Sequence, residues 1–314
     1  MQRYAFGVDI GGTTVKMGLF SSEGTLIEKW EIPTVTENGG EAVLPDVAAS
    51  ISEKLAEKSI DPTSVIGIGL GVPGPVDSDN VVHRCVNLGW GVFDLKARMN
   101  ELLPEIPNVA AGNDANVAAL GELWQGGGKG FNSAVMFTLG TGVGGGVVIG
   151  GKIIAGANGG GGEVGHIVVN TDETVPCNCG KCGCLEQYAS ATGVVNMAKN
   201  MLLGSDAPSA LRGIESFTAK DICDLARDGD EIAVAVIDRC CEYLGRAMSC
   251  VACAVDPDIF IIGGGMSRAG SIITEGTKKY YQKYAFHVSA NTDIVTATLG
   301  NDAGIYGCVK MILG

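Results

Sequence analysis

The segment that decides the fold is YAFGVDIGGTTVKMGLF, residues 4–20. Residues 4–10 and 14–20 are rich in aliphatic, aromatic and β-branched side chains, and a Gly-Gly-Thr turn separates them, which predicts a β-hairpin. A third run of the same kind, residues 25–32, follows a Ser-Ser-Glu-Gly turn. The sequence therefore predicts a three-stranded meander near the start of the chain.

The same pattern occurs a second time, about 130 residues later. Residues 134–139, 143–149 and 152–156 form another predicted meander with glycine-rich turns. After the first meander, residues 42–58 carry apolar side chains every four positions, as in an amphipathic helix, and residues 65–70 are a buried strand. Two βββαβ units in tandem are the plan of the actin-like ATPase fold, an α/β fold of the ribonuclease H-like type. We therefore expect two domains that flank a nucleotide-binding cleft.

Composition excludes several classes of function. The chain has 314 residues, enough for about two domains, and 48 glycines in short runs, which suggests backbone that approaches ligands. Its formal net charge of −13 would repel phosphate backbones and anionic membranes. No apolar run approaches the ~20 residues of a membrane span, and the N-terminus lacks a signal-peptide pattern. We expect a cytoplasmic protein with neither nucleic acid nor membrane as partner.

Two glycine-rich hairpin turns are candidate phosphate sites. In DIGGTTVK, residues 9–16, the glycines would let backbone N–H groups approach a phosphate, and the threonines supply hydroxyl groups. One such turn alone is better explained as a plain hairpin, but TLGTGVGGG at residues 138–146 is a near copy. Two such turns facing each other can clamp a triphosphate. Asp9 then becomes a candidate partner for Mg²⁺ through water.

A third glycine signal, IIGGGMS at residues 261–267, ends a predicted buried strand and resembles the adenosine motif of the actin-like ATPases. A simple strand-to-helix turn is the alternative. The predicted nucleotide-binding residues are Asp9, Gly11, Gly12, Thr13, Lys16, Gly140, Thr141, Gly142, Gly263, Gly264 and Gly265.

Residues 163–186 combine EVGH with CNCGKCGCLE, and they contain five soft or borderline metal ligands: His166, Cys177, Cys179, Cys182 and Cys184. Zinc takes four such groups in a tetrahedron, so one is spare, and a filled set leaves no open position for water. The metal would therefore be structural. The alternative, a disulfide knot, needs an oxidising compartment, and no secretion signal precedes Asp9. At the ends of this loop, Glu163 and Glu186 can accept hydrogen bonds from hydroxyl groups.

These motifs carry a family resemblance. EVGH, CNCGKCGCLE and NDANVAALGE (residues 113–122) together resemble the ROK family of bacterial sugar kinases and sugar-responsive repressors, over nearly the whole chain. The resemblance implies that Asp114 is the base that accepts the proton of the sugar 6-hydroxyl as it attacks the γ-phosphate of ATP. The structural alternative is that Asp114 or Asn113 only caps a helix.

The resemblance also assigns the remaining site residues. The implied sugar contacts are Gly71, Asn113, Asp114, Glu163, His166 and Glu186. The implied ligands of the structural zinc are His166, Cys177, Cys179 and Cys184, because the family spacing CxCGxxGC leaves Cys182 spare. His166 would then use one ring nitrogen for zinc and the other for a sugar hydroxyl.

The implied reaction is phosphorylation of a hexose by ATP with Mg²⁺. NLGW at residues 87–90, together with NDAN, looks most like the members of the family that act on glucose. Kinases for fructose, mannose, N-acetylmannosamine and N-acetylglucosamine share the motifs, and polyphosphate or ADP as donor stays open. A repressor is the less favoured alternative, because repressors of this family carry a DNA-binding region ahead of the first phosphate turn and eight residues precede Asp9 here. We also expect a homodimer or homotetramer.

The resemblance implies the domain organisation as well. A small N-terminal α/β domain, residues 1–113, is expected to receive the closing helix, residues 301–314, packed back on it. A large α/β domain, residues 114–300, would carry the zinc loop. The elements that the sequence predicts here are helices at 186–202, 218–227, 231–255 and 303–313 and a buried strand at 259–262.

Overall fold

The computed structural model of the protein describes residues 2–314, which form a mixture of α-helices and β-strands. The strands are β1 (Tyr4–Ile10), β2 (Thr14–Ser21), β3 (Leu26–Pro33), β4 (Val65–Val72), β5 (Val81–Val82), β6 (Phe93–Asp94), β7 (Val109–Asn113), β8 (Ala134–Leu139), β9 (Val143–Ile149), β10 (Lys152–Ile153), β11 (Ile259–Gly263) and β12 (Asp293–Thr296). The helices are α1 (Glu37–Gly40), α2 (Val43–Glu57), α3 (Leu95–Leu102), α4 (Asp114–Gln125), α5 (Glu186–Ala189), α6 (Ala191–Gly204), α7 (Ala219–Arg227), α8 (Glu231–Val255), α9 (Ser271–Tyr284) and α10 (Ala303–Leu313).

Two five-stranded sheets share one strand order. The first is β3-β2-β1-β4-β7, in which β1, β2 and β3 are antiparallel and β4 and β7 run parallel to β1. The second is β10-β9-β8-β11-β12, in which β10 is antiparallel to β9, and β11 runs parallel to both β8 and β12. The repeat predicted from the glycine-rich meanders is therefore confirmed, and with it the actin-like ATPase fold of α/β class.

The described chain packs as two compact units. The first contains residues 2–130, Gly146–Gly162 and Leu299–Gly314, and the second contains Phe131–Gly145 and Glu163–Thr298. Helix α4 belongs to the first unit, whereas the boundary expected after residue 113 assigned it to the large domain. The units describe packing only, so the domain boundary itself stays a prediction.

Helix α10 closes the core of the first unit. It packs on β1, β4 and α4, and it approaches the sheet so closely that a Cβ at Gly69 would overlap the carbonyl group of Cys308. The Cys308 thiol donates a hydrogen bond to the carbonyl oxygen of Val8, 3.1 Å away. Against α4, a side chain at Gly121 would overlap the carbonyl oxygen of Ala303. Glycine is therefore required where these backbones meet.

Two elements differ from the sequence prediction. The helix expected at 186–202 is divided into α5 and α6, because Ser190 is extended (φ −79°, ψ 162°) and its hydroxyl caps α6 by accepting from the N–H of Gly193. The strand expected at 152–156 is only Lys152–Ile153. The chain turns away from the sheet at Gly156, whose φ is +77°. Among residues 2–314, no helix is long and apolar enough to cross a membrane.

Candidate active site and metal cluster

The carboxyl ends of the parallel strands in the first sheet bring together residues from three motifs. The register places Asp9 of β1 beside Gly71 of β4, and Gly71 beside Gly112 of β7. Asn113 ends β7, and Asp114 is the first residue of α4. Ligands of open α/β sheets bind at such carboxyl edges. The structure thus places Asp9, Gly71, Asn113 and Asp114 at the same edge of the first sheet, where they can contribute to one ligand site.

The carboxylate of Asp9 is held in a confined place. A Cβ built on Gly304 would lie 2.5 Å from one of its oxygens, and a Cβ on Gly71 would lie 3.5 Å from the other. Burial raises the pKa of Asp9 to about 6, with Lys16 opposing the rise and the nearby Asp114 adding to it. The carboxylates of Asp9 and Asp114 repel each other at the sheet edge, and a bound cation would relieve this repulsion.

The first phosphate turn has a fixed base and an exposed tip. The N–H of Gly11 donates to the carbonyl oxygen of Thr14 (3.0 Å), and the hydroxyl of Thr34 donates to the carbonyl oxygen of Gly11 (2.8 Å). Gly12 and Thr13 at the tip are exposed, and a Cβ on Gly12 would meet no atom within 4 Å. Lys16 lies opposite Asp9 in the hairpin, and its ammonium group donates to the carbonyl oxygen of Asn301.

Asn113 caps helix α4. Its amide oxygen accepts from the N–H groups of Ala115 (3.1 Å) and Asn116 (3.2 Å), and its amide nitrogen donates to the carbonyl oxygen of Gly74 (3.3 Å). The capping role considered as the structural alternative is therefore present. A carboxylate oxygen of Asp114 accepts from the N–H of Ala115 (2.8 Å), which orients this side chain at the positive end of the helix dipole.

In the second unit, the turn Gly140–Gly142 is supported from the side. The carbonyl oxygen of Gly140 accepts from the N–H of Ala191, and that of Thr141 accepts from the hydroxyl of Thr192. Next to the turn, the N–H of Val143 donates to a carboxylate oxygen of Glu186, 3.0 Å away. The turn is thereby attached to the first residues of helices α5 and α6.

A cavity of about 550 Å³ opens beside this turn. Of the predicted nucleotide-binding residues, Gly140, Thr141 and Gly265 line it. Gly264 lies behind the wall, with φ of +80°, and a Cβ there would overlap the backbone of Leu139. Sequence reasoning missed further lining residues of the cavity: Thr218, Lys220, Cys223, Asp224, Arg227, Met266 and Arg268. The basic residues on α7 were the available signal.

Four predicted metal ligands form a cluster. The ligand atoms of His166, Cys177, Cys179 and Cys184 all lie within 4.8 Å of one another. Nδ1 of His166 is 3.9 Å from Sγ of Cys177, and the sulfur atoms of Cys179 and Cys184 are 3.6 Å apart. Tetrahedral zinc with bonds of ~2.3 Å to sulfur separates its ligand atoms by ~3.8 Å. The cluster therefore fits a metal ion of this size and geometry.

Cys182 lies outside the cluster. Its thiol faces the carbonyl oxygen of Thr174 at 3.6 Å, and its backbone forms a β-bridge with Pro176. The turn between these two residues contains Cys177 and Cys179, which are on the same side as Cys184. The local hairpin thus brings the thiols of Cys177, Cys179 and Cys184 into the cluster and leaves the thiol of Cys182 outside it.

The predicted sugar contacts of the second unit surround the same cluster. Nε2 of His166 is 3.9 Å from a carboxylate oxygen of Glu163, and these side chains are 37% and 62% exposed. The second carboxylate oxygen of Glu186 lies 3.6 Å from Sγ of Cys177. His166 therefore directs one ring nitrogen to the cluster and the other to an exposed carboxylate, while Glu186 connects the cluster to the turn Gly140–Gly142.

The chain belongs to the ROK family, whose model matches residues 5–314. A glucokinase of Halalkalibacterium halodurans is 41% identical over 97% of this chain and 93% of its own length. A glucokinase of Thermotoga maritima is 38% identical over 98% of this chain and 96% of its own. The crystal structure of a ROK family glucokinase from Streptomyces griseus in complex with glucose and AMPPNP matches with a TM-score of 0.73 and 31% identity, covering 98% of each chain.

The raised pKa of Asp9 predicts a gain in stability for Asp9→Asn. Because the folded protein disfavours the ionised form, the free energy of unfolding falls as the pH rises through about 4 to 6. In Mg²⁺-free buffer at pH 7.5, Asp9→Asn should therefore have a free energy of unfolding ~1–3 kcal/mol higher than the wild type. The measurement is equilibrium unfolding in urea, in which the midpoint should move to a higher urea concentration. The gain should shrink towards pH 4. The control is Asp79→Asn, at an exposed loop position, and an equal gain there would contradict the explanation.

Proposed function

We propose that the protein is an ATP-dependent hexose kinase that transfers the γ-phosphate of ATP to the 6-hydroxyl of glucose, giving glucose 6-phosphate and ADP. The observation that carries the proposal is the pair of carboxylates, Asp9 and Asp114, at the carboxyl edge of the first sheet beside an exposed Gly-Gly-Thr turn. The glucokinases among its relatives support glucose as the substrate.

Asp114 is the proposed base. As the sugar 6-oxygen forms its bond to the γ-phosphorus, the bond from that phosphorus to the bridging oxygen of ADP breaks, and the hydroxyl proton passes to the carboxylate. Phosphoryl transfer depends chiefly on positioning and charge stabilisation, so an oriented acceptor is sufficient. One carboxylate oxygen of Asp114 accepts a hydrogen bond from the N–H of Ala115, and this bond also fixes the direction in which the second oxygen points.

Asp9 is the proposed partner of the Mg²⁺ that accompanies ATP. A divalent cation beside this carboxylate would stabilise its ionised form, which burial disfavours in the protein alone. The proposed phosphate contacts are the turns at Gly11–Thr13 and Gly140–Gly142. The proposed place for the adenosine group is the cavity of about 550 Å³ next to Gly265, where an apolar wall from Met266 and Ala269 adjoins basic side chains.

Zinc is the metal proposed for the His-Cys cluster. His166, Cys177, Cys179 and Cys184 would hold it, and four ligands of this kind leave no open coordination position, so the metal would supply structure rather than chemistry. Its effect would be to fix the loop between Glu163 and Glu186. The sugar contacts proposed from this loop are Glu163, His166 and Glu186, and those proposed from the first unit are Gly71, Asn113 and Asp114.

The function is tested with a coupled assay of ADP release over a panel of hexoses. We expect the highest kcat/KM with glucose and lower values with fructose, mannose, N-acetylmannosamine and N-acetylglucosamine. A higher value for one of the other sugars would replace glucose as the substrate. Absence of ADP release with every sugar would overturn the proposal, and a parallel panel with polyphosphate identifies the phosphoryl donor.

Asp114→Asn should lower kcat at least ~10²-fold, because the amide cannot accept the hydroxyl proton. The KM for the hexose should stay within a few-fold, since an amide keeps the size and hydrogen-bonding capacity of the side chain. The matched control is Asp46→Asn, which also removes an acidic group from the first turn of a helix. Turnover by Asp114→Asn near the wild-type rate would remove Asp114 as the base.

Cys184→Ser and Cys182→Ser should differ in metal content. Cys184 is buried within the cluster, so its serine variant should lose zinc, thermal stability and hexose affinity together, because a structural zinc contributes folding free energy. Cys182→Ser should keep about one zinc per chain and near-normal KM. The measurements are metal analysis by mass spectrometry, thermal unfolding and hexose KM. Zinc retained by Cys184→Ser and lost from Cys182→Ser would contradict the assignment.

A further inference from the structure

Helix α4 carries two buried polar side chains, one in its first turn and one further along. Asn116 is 3% exposed and Glu122 is 0% exposed. A buried amide or carboxylate is costly unless its polar atoms are hydrogen-bonded. The partners of Asn116 and Glu122 therefore indicate what these side chains are for.

Their partners lie next to the places where the chain passes from one compact unit to the other. There are four such crossings along the described chain, at Gly130/Phe131, Gly145/Gly146, Gly162/Glu163 and Thr298/Leu299. Any change in the position of one unit relative to the other has to take place through these covalent connections.

Asn116 holds two of the crossings. Its amide oxygen accepts from the N–H of Val147, 3.3 Å away, and its amide nitrogen donates to the carbonyl oxygen of Gly161 at 3.0 Å. Val147 follows the second crossing by one residue, and Gly161 precedes the third by one. Gly146 also lies directly on the helix, since a Cβ there would come 2.6 Å from Cβ of Ala119.

Glu122 holds the other two crossings. One carboxylate oxygen accepts from the N–H of Leu299 at 2.8 Å, and the other accepts from the N–H of Gly127 at 2.9 Å. Leu299 is the first residue after the fourth crossing, and Gly127 lies shortly before the first. The carbonyl oxygen of Glu122 additionally accepts from the N–H groups of Gly126 and Gly128.

We propose that Asn116 and Glu122 are positioning residues, which fix all four crossings to the helix that begins with Asp114. An α-helix of this length is rigid along its axis, so a segment attached to Asn116 or Glu122 is attached to Asp114 as well. The two side chains thus attach the first-unit side of each crossing to the helix that carries the proposed base. Neither residue is assigned a contact with hexose or nucleotide.

The kinetic consequence rests on the proposed hexose kinase function. That reaction needs Asp9 and Asp114 from the first unit and the turn Gly140–Gly142 from the second at the same moment. A loosened crossing would let these groups take up unproductive arrangements, and a misplacement of about 1 Å can cost ~10²-fold in rate. The chemical groups and their individual binding contacts would remain, so kcat should fall while KM changes little.

The test compares Glu122→Gln and Asn116→Ala with Val117→Ala. The glutamine variant keeps the shape of the side chain but turns an N–H group towards one of two backbone donors, so one crossing loses its hydrogen bond. The alanine variant at Asn116 removes both bonds to the other crossings. Val117 is buried in the same helix, and its side chain makes no hydrogen bond, so its alanine variant reports on stability alone.

Hydrogen exchange resolved to single amides is measured first, on protein without ligands. Relative to Val117→Ala, we expect at least about tenfold faster exchange at Leu299 or Gly127 in Glu122→Gln, and at Val147 in Asn116→Ala. Exchange unchanged at these amides in both variants would overturn the proposal. This measurement is independent of enzymatic activity, so it stands even if no hexose is phosphorylated and the proposed function fails.

Steady-state kinetics is measured second, with variants compared at equal fractions of folded protein. We expect kcat about tenfold lower in Glu122→Gln and Asn116→Ala, with KM for hexose and ATP within about threefold. Val117→Ala should keep kcat within about twofold of the wild type despite its lower stability. An equal fall of kcat in Val117→Ala, or a rise of KM without a change in kcat, would show that the two side chains only stabilise the fold.

Discussion

The first unit depends on a contact between backbones. Helix α10 reaches α4 and the sheet at positions where glycine has no side chain to hold them apart, with Gly121 against Ala303, Gly307 against Val117 and Gly69 against Cys308. Interiors packed this closely do not adjust to an added methyl group without displacement. The same close approach places Gly304 against Asp9, so the wall behind the proposed cation site is made by packing that has no catalytic role of its own.

That wall has an electrostatic consequence. Asp9 is enclosed at the sheet edge with Asp114 nearby, and burial and repulsion together disfavour its charged form. A fold selected for stability alone would place an amide or an apolar residue there. Groups whose ionisation is disfavoured by their surroundings are typical of functional sites, where a bound partner supplies the missing compensation. The destabilising arrangement is therefore informative about function in a way that the apolar core is not.

Local patterns predicted much of this architecture. The meanders were predictable because alternating apolar residues and Gly-Gly turns act within a few residues. The family spacing CxCGxxGC predicted which thiols group with His166, and their binding of a metal stays a prediction. Helix α9, SIITEGTKKYYQKY, has too few apolar residues for a clear stripe, and the break at Ser190 depends on its hydrogen bond to Gly193. The residues lining the cavity beside Gly265 come from separate elements. The basic residues on α7 were a local signal, but only tertiary packing brings Arg227 of α7 to the same cavity as Arg268.

The position of helix α10 in the chain affects how the protein is made. The first unit requires residues 303–313 for its core, yet these residues are synthesised after the whole of the second unit. While the ribosome is still elongating the chain, the sheet formed by β1, β4 and β7 therefore lacks the helix that covers one of its faces. The second unit, continuous in sequence apart from Phe131–Gly145, has no such delay. Domains usually fold from the N-terminus during translation, whereas here the N-terminal strands must wait for the last helix.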